Sequence, residues 1–478
     1  MLLFRGRARS IHQNRNSGRK YTINMCSGRI MPKMLLFAIP VMLTSILQLL
    51  FNAADIIVVG RFAGDNSLAA VGSNTSLISL MTNLFVGISI GTNVLISRYY
   101  GSKNEEGISK AVSTSILVAL VSGVFLTLLG VIFARKILIL MHTPEEVLGL
   151  ATLYLVIYFF GMTPMMIYNF GAAVLRAGGD TRRPLLYLSA AGIINVILNL
   201  FFVIYLHLDV AGVSIATVIA QCVSAALILR CLTRETGPMR FSLHNARIDL
   251  DNLLKILRIG VPAGLQGVLF SFSNVVIQSS INTFGATVMA GSSASDNIET
   301  FVYFSMEAFY QATISFTSQN MGAGKIDRVY KVLRTGMICS GVVGLALGAF
   351  AIICEQQLFG IYTSSPAVIA AGEQRLRLII LTYSLCGLME VTGGVMRGIG
   401  YSVLPTVVTL LGVCVFRVIW VVGLLSIPAF HSPITIYLSY PVSWALTFGA
   451  HFACFLWVKK HVLSKYAAGS ACASVTET

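Results

Sequence analysis

The chain has 478 residues, 56% of them hydrophobic and only 11% charged, with a mean hydropathy of +0.80. A soluble domain carries about 25% charged residues, so this composition excludes a protein whose main solvent is water. Nine scattered cysteines without a CxxC pair exclude a disulfide scaffold, and the net charge of +15 sits in gaps between apolar runs rather than in a stripe suited to nucleic acid.

The hydrocarbon core of a bilayer calls for roughly 20 apolar residues in a helix. Twelve such runs occur in chain order, near 34–59, 68–97, 110–133, 148–175, 184–206, 210–232, 253–282, 287–318, 331–353, 368–397, 404–427 and 434–458. The predicted fold is therefore an all-α integral membrane protein, with twelve transmembrane helices in two parallel six-helix repeats around a central cavity. Its predicted parts are a basic cytoplasmic tail (1–33), an N-lobe (34–232), a cytoplasmic linker (233–252), a C-lobe (253–460) and a second cytoplasmic tail (461–478). The first tail holds eight basic residues, no acid and no signal-peptide apolar stretch, and reads as disordered. Met25, Met31 or Met34 could each serve as the first residue.

With the N-terminus inside, 28 basic residues fall on the cytoplasmic side against five outside (Arg61, Arg135, Lys136, Arg375 and Arg377), while Arg417 stays within a span. The positive-inside rule then puts both termini in the cytoplasm of a multi-pass protein of the plasma (inner) membrane.

An internal repeat supports the two-lobe reading. Pro40 falls on Pro262 and Asn52 on Asn274 at an offset of 222; Gly101 falls on Gly322 at 221. At 221 the stretch VLRAGGDTRRP (174–184) overlays VMRGIGYSVLP (395–405), pairing Arg176 with Arg397 and Pro184 with Pro405. Six spans per half start both halves on the same side, as in transporters built from parallel repeats.

Ionisable groups inside hydrocarbon cost at least ~2.5 kcal/mol and mark sites by default. In span 1, Ser45, Gln48, Asn52 and Asp55 share one helical face. The repeat partner of Asp55 is Ile277, so this carboxylate belongs to the first half alone. Span 5 adds Asn195 and Asn199. Span 8 aligns Asp296, Glu299, Tyr303, Glu307 and Tyr310/Gln311, and span 10 aligns Tyr383, Gly387, Glu390, Gly394 and Arg397. A carboxylate in a low-dielectric cavity is costly to leave charged and alone; it either takes a proton near neutral pH or, among amide and hydroxyl oxygens, holds Na⁺. Asp55 and Glu299 are the candidate Na⁺ positions. The structural alternative is that Glu299, Glu307 or Glu390 pairs with a basic residue such as Arg417, or hydrogen-bonds a neighbouring helix.

No enzyme signature stands. MGAGKID lacks the phosphate-loop spacing, so its GAGK reads as a turn between spans 8 and 9, and HExxH and EF-hand patterns are missing.

The segments IPVMLTSILQLLFNAADIIVVGRF (39–62), NVILN (195–199), QNMGAGKIDR (319–328), LRAGGDTRRP (175–184) and MRGIG (396–400) resemble the multidrug and toxic compound extrusion (MATE) family over roughly 34–460. The resemblance implies a twelve-helix, two-lobe antiporter that exports organic cations and drugs in exchange for H⁺ or Na⁺ by alternating access. Asp55 would be the N-lobe coupling carboxylate, with Asn195 and Asn199 as neighbours. Asn199 occupies a place where many members carry a second Asp. Glu299 matches a position that is often acidic, and Glu307 and Glu390 correspond by region, with Tyr303 beside them in the C-lobe set. The resemblance implies small-molecule organic cations and the bilayer as partners, no nucleic acid, and no cofactor beyond the coupling ion. A two-lobe repeat makes a monomer sufficient. The rival function within the same superfamily is a flippase for lipid-linked sugar or peptidoglycan precursors.

Overall fold

The computed structural model describes residues 22–141 and 143–467. Within them all regular structure is helical and resolves into twelve long helical elements. The first half contains α1 (Ile30–Phe62), α2 (Asp65–Ser102), α3 (Glu105–Leu140), α4 (Glu145–Phe160 and Met162–Ala177, bent by 45°), α5 (Arg182–Leu200 with a π-helical turn Phe201–Tyr205) and α6 (Asp209–Arg234). The second half contains α7 (Leu250–Asn282), α8 (Ala286–Gly322), α9 (Ile326–Ile353), α10 (Pro366–Ile379 and Tyr383–Ile399), α11 (Val403–Thr409, π-helical turn Leu410–Val415, Phe416–Leu425) and α12 (Pro433–Val458).

Ten single helices and the bent α4 are long and apolar enough to cross a bilayer, and α8 is the remaining element of bilayer length. Its low hydropathy follows from its packing. Ser292, Ser295, Ser305, Thr313, Ser315, Thr317, Gln319 and Asn320 are buried inside the protein, where a polar helix needs no hydrocarbon-compatible surface. Elsewhere the pattern inverts, with bulky apolar side chains on the outside: Ile132 is 63% exposed and Ile353 79%. A bilayer covers such surface; water does not favour it.

The repeat is written into the backbone. Gly64 and Gly285 (φ 86° and 93°), Lys103 and Gly324 (58° and 67°), and Gly179 and Gly400 (90° and 117°) form three left-handed pairs, all at the offset of 221. Gly179 and Gly400 end their helices in the same way. Each amide donates to the carbonyl three residues back, Arg176 or Arg397, and the following amide, Asp180 or Tyr401, donates to Leu175 or Met396. Only glycine takes this conformation without steric cost.

By packing, the chain forms two compact units. Among the described residues, unit 1 contains 22–24 and Leu43–Gly264, and unit 2 contains Met25–Met42 and 265–467. This partition differs from the predicted lobes, because α1 and α7 each divide between the units. The changeovers at Leu43 and Leu265 are themselves 222 residues apart, and each lies three residues after an intrahelical proline, Pro40 or Pro262. Proline removes one backbone hydrogen bond and crowds the preceding turn, which lets the two parts of a long helix pack separately.

The expected disordered tail is corrected over its last third, and residues 1–21 lie outside the described residues. Met25 is fully buried. Its carbonyl accepts from Asn320 Nδ2 at 3.2 Å and Arg328 Nη2 at 3.1 Å, while Lys325 Nζ reaches the Cys26 carbonyl at 2.9 Å. GAGK is thus a turn between α8 and α9, as its spacing predicts, and Asn320, Lys325 and Arg328 around it hold backbone carbonyls ahead of α1.

The start of the linker is held in unit 1. Asp180 Oδ1 accepts from the backbone amides of Arg182 and Arg183 at 3.0 and 3.1 Å, and the Arg183 guanidinium bonds both Asp180 and Glu235, the latter at 2.7 Å.

Candidate functional site

Gly192 brings α1 and α5 together in unit 1. A Cβ there would lie 1.8 Å from the Phe51 ring, so only glycine permits the approach. One turn further along each helix, Asp55 and Asn195/Asn199 meet.

Asn199 Nδ2 donates to Asp55 Oδ1 in a short hydrogen bond and reaches Asn195 Oδ1 at 3.4 Å. Thr217 Oγ1 on α6 reaches Asp55 Oδ2 at 3.3 Å, and Asn195 Nδ2 reaches Thr217 Oγ1 at 3.2 Å. Asp55 is 8% exposed and Asn199 fully buried. Among the described residues no Lys, Arg or His nitrogen lies within 4 Å of Asp55. The carboxylate therefore has only neutral partners, and Asn199 Oδ1 is a buried acceptor with no hydrogen bond.

The group opens on a cavity of about 380 Å³ in unit 1, whose wall includes Gln48, Asn52, Asp55, Tyr154, Tyr158, Asn195, Thr217 and Gln221. Gln48 and Asn52 line it without bonding Asp55. Thr217 is the partner missed by sequence reasoning. With Ser214 and Gln221 it makes a polar face at spacings of three and four in an otherwise apolar span, and that periodicity was its available signal.

Chemically, one uncompensated carboxylate among amide and hydroxyl oxygens accepts either a proton or a hard monovalent cation. Burying a lone charge is costly unless it is neutralised.

The acidic residues of unit 2 divide. Glu299 is fully buried, and both its oxygens are engaged: Arg375 Nε donates to Oε1 at 2.9 Å and Nη2 to Oε2 at 3.0 Å. Ser295 adds 2.7 Å to Oε1, Tyr383 adds 3.4 Å to Oε2, and Arg375 Nη2 also reaches Asp296 at 2.8 Å. Arg375, expected outside, is 2% exposed within α10 and is the partner of Glu299 in place of Arg417. This fork leaves Glu299 without a vacant oxygen for Na⁺.

Glu307 and Glu390, by contrast, both lie in electrostatic range of Tyr303 and Tyr310. Glu390 accepts no hydrogen bond and has no ion pair within 4 Å among the described residues. Arg397 of α10 is bonded to Tyr310 Oη and Gln266 Oε1, and to Thr406 Oγ1 at 3.3 Å, which ties α7, α8, α10 and α11 together within the unit.

The MatE family model matches the chain twice, over residues 40–201 and 262–422. The starts of the two matches are 222 residues apart and the ends 221, the offsets of the repeat itself. The chain is 28% identical over 387 residues to "Probable multidrug resistance protein YoeA" of Bacillus subtilis, covering 80% of this chain and 84% of that one. It is 26% identical over 391 residues to "Probable multidrug resistance protein YpnP" of the same organism, covering 82% and 87%. Its fold matches that of an outward-facing multidrug resistance MATE family transporter of the MOP superfamily with a TM-score of 0.84 at 22% identity, covering 93% of this chain and 98% of that one. With both halves matched and twelve helices in two repeats, the chain belongs to the MatE family and is a membrane transporter, not an enzyme.

Proposed function

We propose that the protein is a secondary active antiporter that exports small organic molecules, organic cations and drugs foremost, in exchange for H⁺ or Na⁺ bound at Asp55. The observation that carries this is the Asp55 carboxylate, buried with neutral partners only, beside the unbonded oxygen of Asn199. A group in that state gains from any neutralising cation, and Asn195, Asn199 and Thr217 supply the further oxygens. The curated relatives named as multidrug resistance proteins support drugs as the cargo. In this reading the protein lies in the cell membrane with both termini cytoplasmic, works as a monomer, and alternates the access of its two lobes. Each coupling charge moved inward contributes about 2.3 kcal/mol per 100 mV of membrane potential. Glu307, Tyr303 and Glu390 serve the substrate in the second half, and Glu299 serves the fork with Arg375.

The test is uptake of a fluorescent lipophilic cation into proteoliposomes under an imposed pH gradient or Na⁺ gradient, with wild type beside Asp55→Asn. Uptake that follows one gradient and is lost in the variant identifies antiport and its ion together. Preserved uptake in Asp55→Asn removes Asp55 from coupling, and no uptake by folded protein under either gradient favours the flipping of lipid-linked precursors.

A further inference from the structure

Among the described residues one histidine is buried, His451 of α12, at 2% exposure. Three oxygens surround its ring. Nδ1 stands 3.1 Å from the Met389 carbonyl of α10, and Nε2 stands 3.1 Å from both the Pro405 carbonyl and the Thr409 hydroxyl of α11. Gly393 of α10 leaves room for the ring, since a Cβ there would lie 3.3 Å from Cε1. No carboxylate lies within 4 Å of either ring nitrogen among the described residues.

A carbonyl oxygen only accepts, so it bonds a ring nitrogen only when that nitrogen carries a proton. Neutral imidazole has one proton to give. With it on Nδ1 the ring donates to Met389, Nε2 accepts from the Thr409 hydroxyl, and the Nε2 lone pair is set against the Pro405 carbonyl. With it on Nε2 the ring donates to Pro405, and the Nδ1 lone pair is set against the Met389 carbonyl. Each neutral form opposes one carbonyl; the imidazolium satisfies both. The two carbonyls thus favour a second proton, and the hydroxyl favours its absence. Of the charged and titratable groups on the packed helices, Arg397 of α10 is the one that acts on the ring, and it opposes a second positive charge. Glu390, one residue beyond Met389, acts on Tyr303 and Tyr310, and Cys414 of α11 is in range of Arg417. Cys454 lies three residues further along α12 itself. Arg397 also bonds Thr406 at 3.3 Å, next to Pro405, so the guanidinium and the ring act on the same turn of α11.

We propose that His451 is a proton-binding site of the second half, separate from Asp55, at which a proton arriving on Nε2 moves that nitrogen from the Thr409 hydroxyl to the Pro405 carbonyl. The ring gains one N–H bond and one positive charge, and no other bond breaks. A charge that appears beside Arg397 is relieved by parting the first turn of α11 from that guanidinium, so proton occupancy biases the packing of α10 against α11. The site rests on the transporter reading only for its use in a cycle, and not on ion coupling at Asp55.

The test reads the proton itself. The full chain carrying Asp55→Asn, labelled with nitrogen-15 at histidine, is placed in lipid nanodiscs, and its imidazole signals are followed by NMR from about pH 8 to about pH 4.5, a range that brackets ordinary histidine titration. No gradient is imposed and the Asp55 carboxylate is gone, so a failure of coupling at Asp55 does not enter. The His451 signal is the one that His451→Gln deletes. It is expected to pass from neutral to imidazolium within the range. Thr409→Val removes the donor that holds the neutral ring, and is expected to move the midpoint to higher pH by about half a unit or more, the effect of one neutral hydrogen bond; Thr409→Ser keeps the hydroxyl and the midpoint. A ring that holds one state throughout, neutral or charged, overturns the proposal, as does a midpoint that Thr409→Val leaves in place or lowers. Should His451→Gln fail to fold, the signal that Thr409→Val displaces identifies His451, and the absence of any displaced signal overturns the proposal.

Discussion

Asn199 donates its side-chain amide to Asp55 across 144 positions of sequence, and its own oxygen is left without a donor. An amide that gives its hydrogens to a carboxylate and keeps an unsatisfied oxygen on the same site favours an arriving cation. Asn199→Leu removes both functions and is expected to abolish gradient-driven uptake with little change in fold. Asn199→Asp places a second carboxylate against the first. Like charges at that distance favour a shared proton or bound cation, so the variant is expected to bind Na⁺ or H⁺ more tightly and to release it more slowly. Uptake measured against internal pH and Na⁺ checks this; an Asn199→Leu protein that transports like wild type removes Asn199 from the site.

Thr217→Val is the milder probe of the same site. It deletes the hydroxyl that reaches Asp55 Oδ2 and accepts from Asn195, while keeping the shape. A hydrogen bond to a charged acceptor contributes about 1.5–3 kcal/mol and favours the charged carboxylate, so the variant is expected to bind H⁺ about tenfold more tightly if the coupling ion is H⁺, to bind Na⁺ more weakly for want of a ligand oxygen if it is Na⁺, and to leave protein yield unchanged. Titration of uptake with the coupling ion reads the shift directly.

Asp55, Asn195 and Asn199 were each legible as candidates because two amides at i, i+4 and a carboxylate ending a polar stripe have little reason to stand in hydrocarbon, and that they are neighbours was what the family resemblance implied. Thr217 was not, because one threonine in an apolar span satisfies itself by bonding its own helix, as Thr217 also does to the Val213 carbonyl at 3.0 Å. The twelve elements and the repeat follow from span length and from glycine and proline, whose backbone demands survive when side chains diverge. The division of α1 and α7 between two units was hidden, since nothing in an unbroken apolar run says which neighbour each part will choose. The order of residues 22–29 escaped for the opposite reason. Its first part is held by backbone 156 positions away, Ile23 on the Gly179 carbonyl at 3.1 Å, and its second by side chains some 300 positions away, such as Arg328 on the Gly28 carbonyl at 3.0 Å, and it has no periodicity of its own.

Glu299 and Arg375 test whether a buried fork is structural. Removing Glu299 leaves the buried Arg375 with the exposed Asp296 as its counter-charge, a loss approaching the roughly 3–5 kcal/mol of a broken buried pair, whereas replacing both with apolar groups is often neutral or stabilising. Glu299→Leu alone is expected to lower the thermal unfolding midpoint sharply, and Glu299→Leu with Arg375→Met to recover most of the loss. If the double variant is stable yet transports normally, the pair is scaffolding; a stable double variant without transport gives the fork a role beyond stability.

Gly192 offers a test of how the site is positioned without touching it. A methyl group there would meet the Phe51 ring at 1.8 Å, so Gly192→Ala must push α1 away from α5 or force Phe51 aside, and overpacking of this kind costs about 1–3 kcal/mol. The hydrogen bond from Asn199 to Asp55 is the contact that separation would lengthen. Gly192→Ala is therefore expected to weaken transport out of proportion to its effect on folding, and Phe51→Ala introduced into it to restore both by giving the methyl group room. Paired measurements of thermal midpoint and gradient-driven uptake separate the two effects. A Gly192→Ala protein with wild-type uptake means that the approach of the two helices does not set the Asp55 geometry.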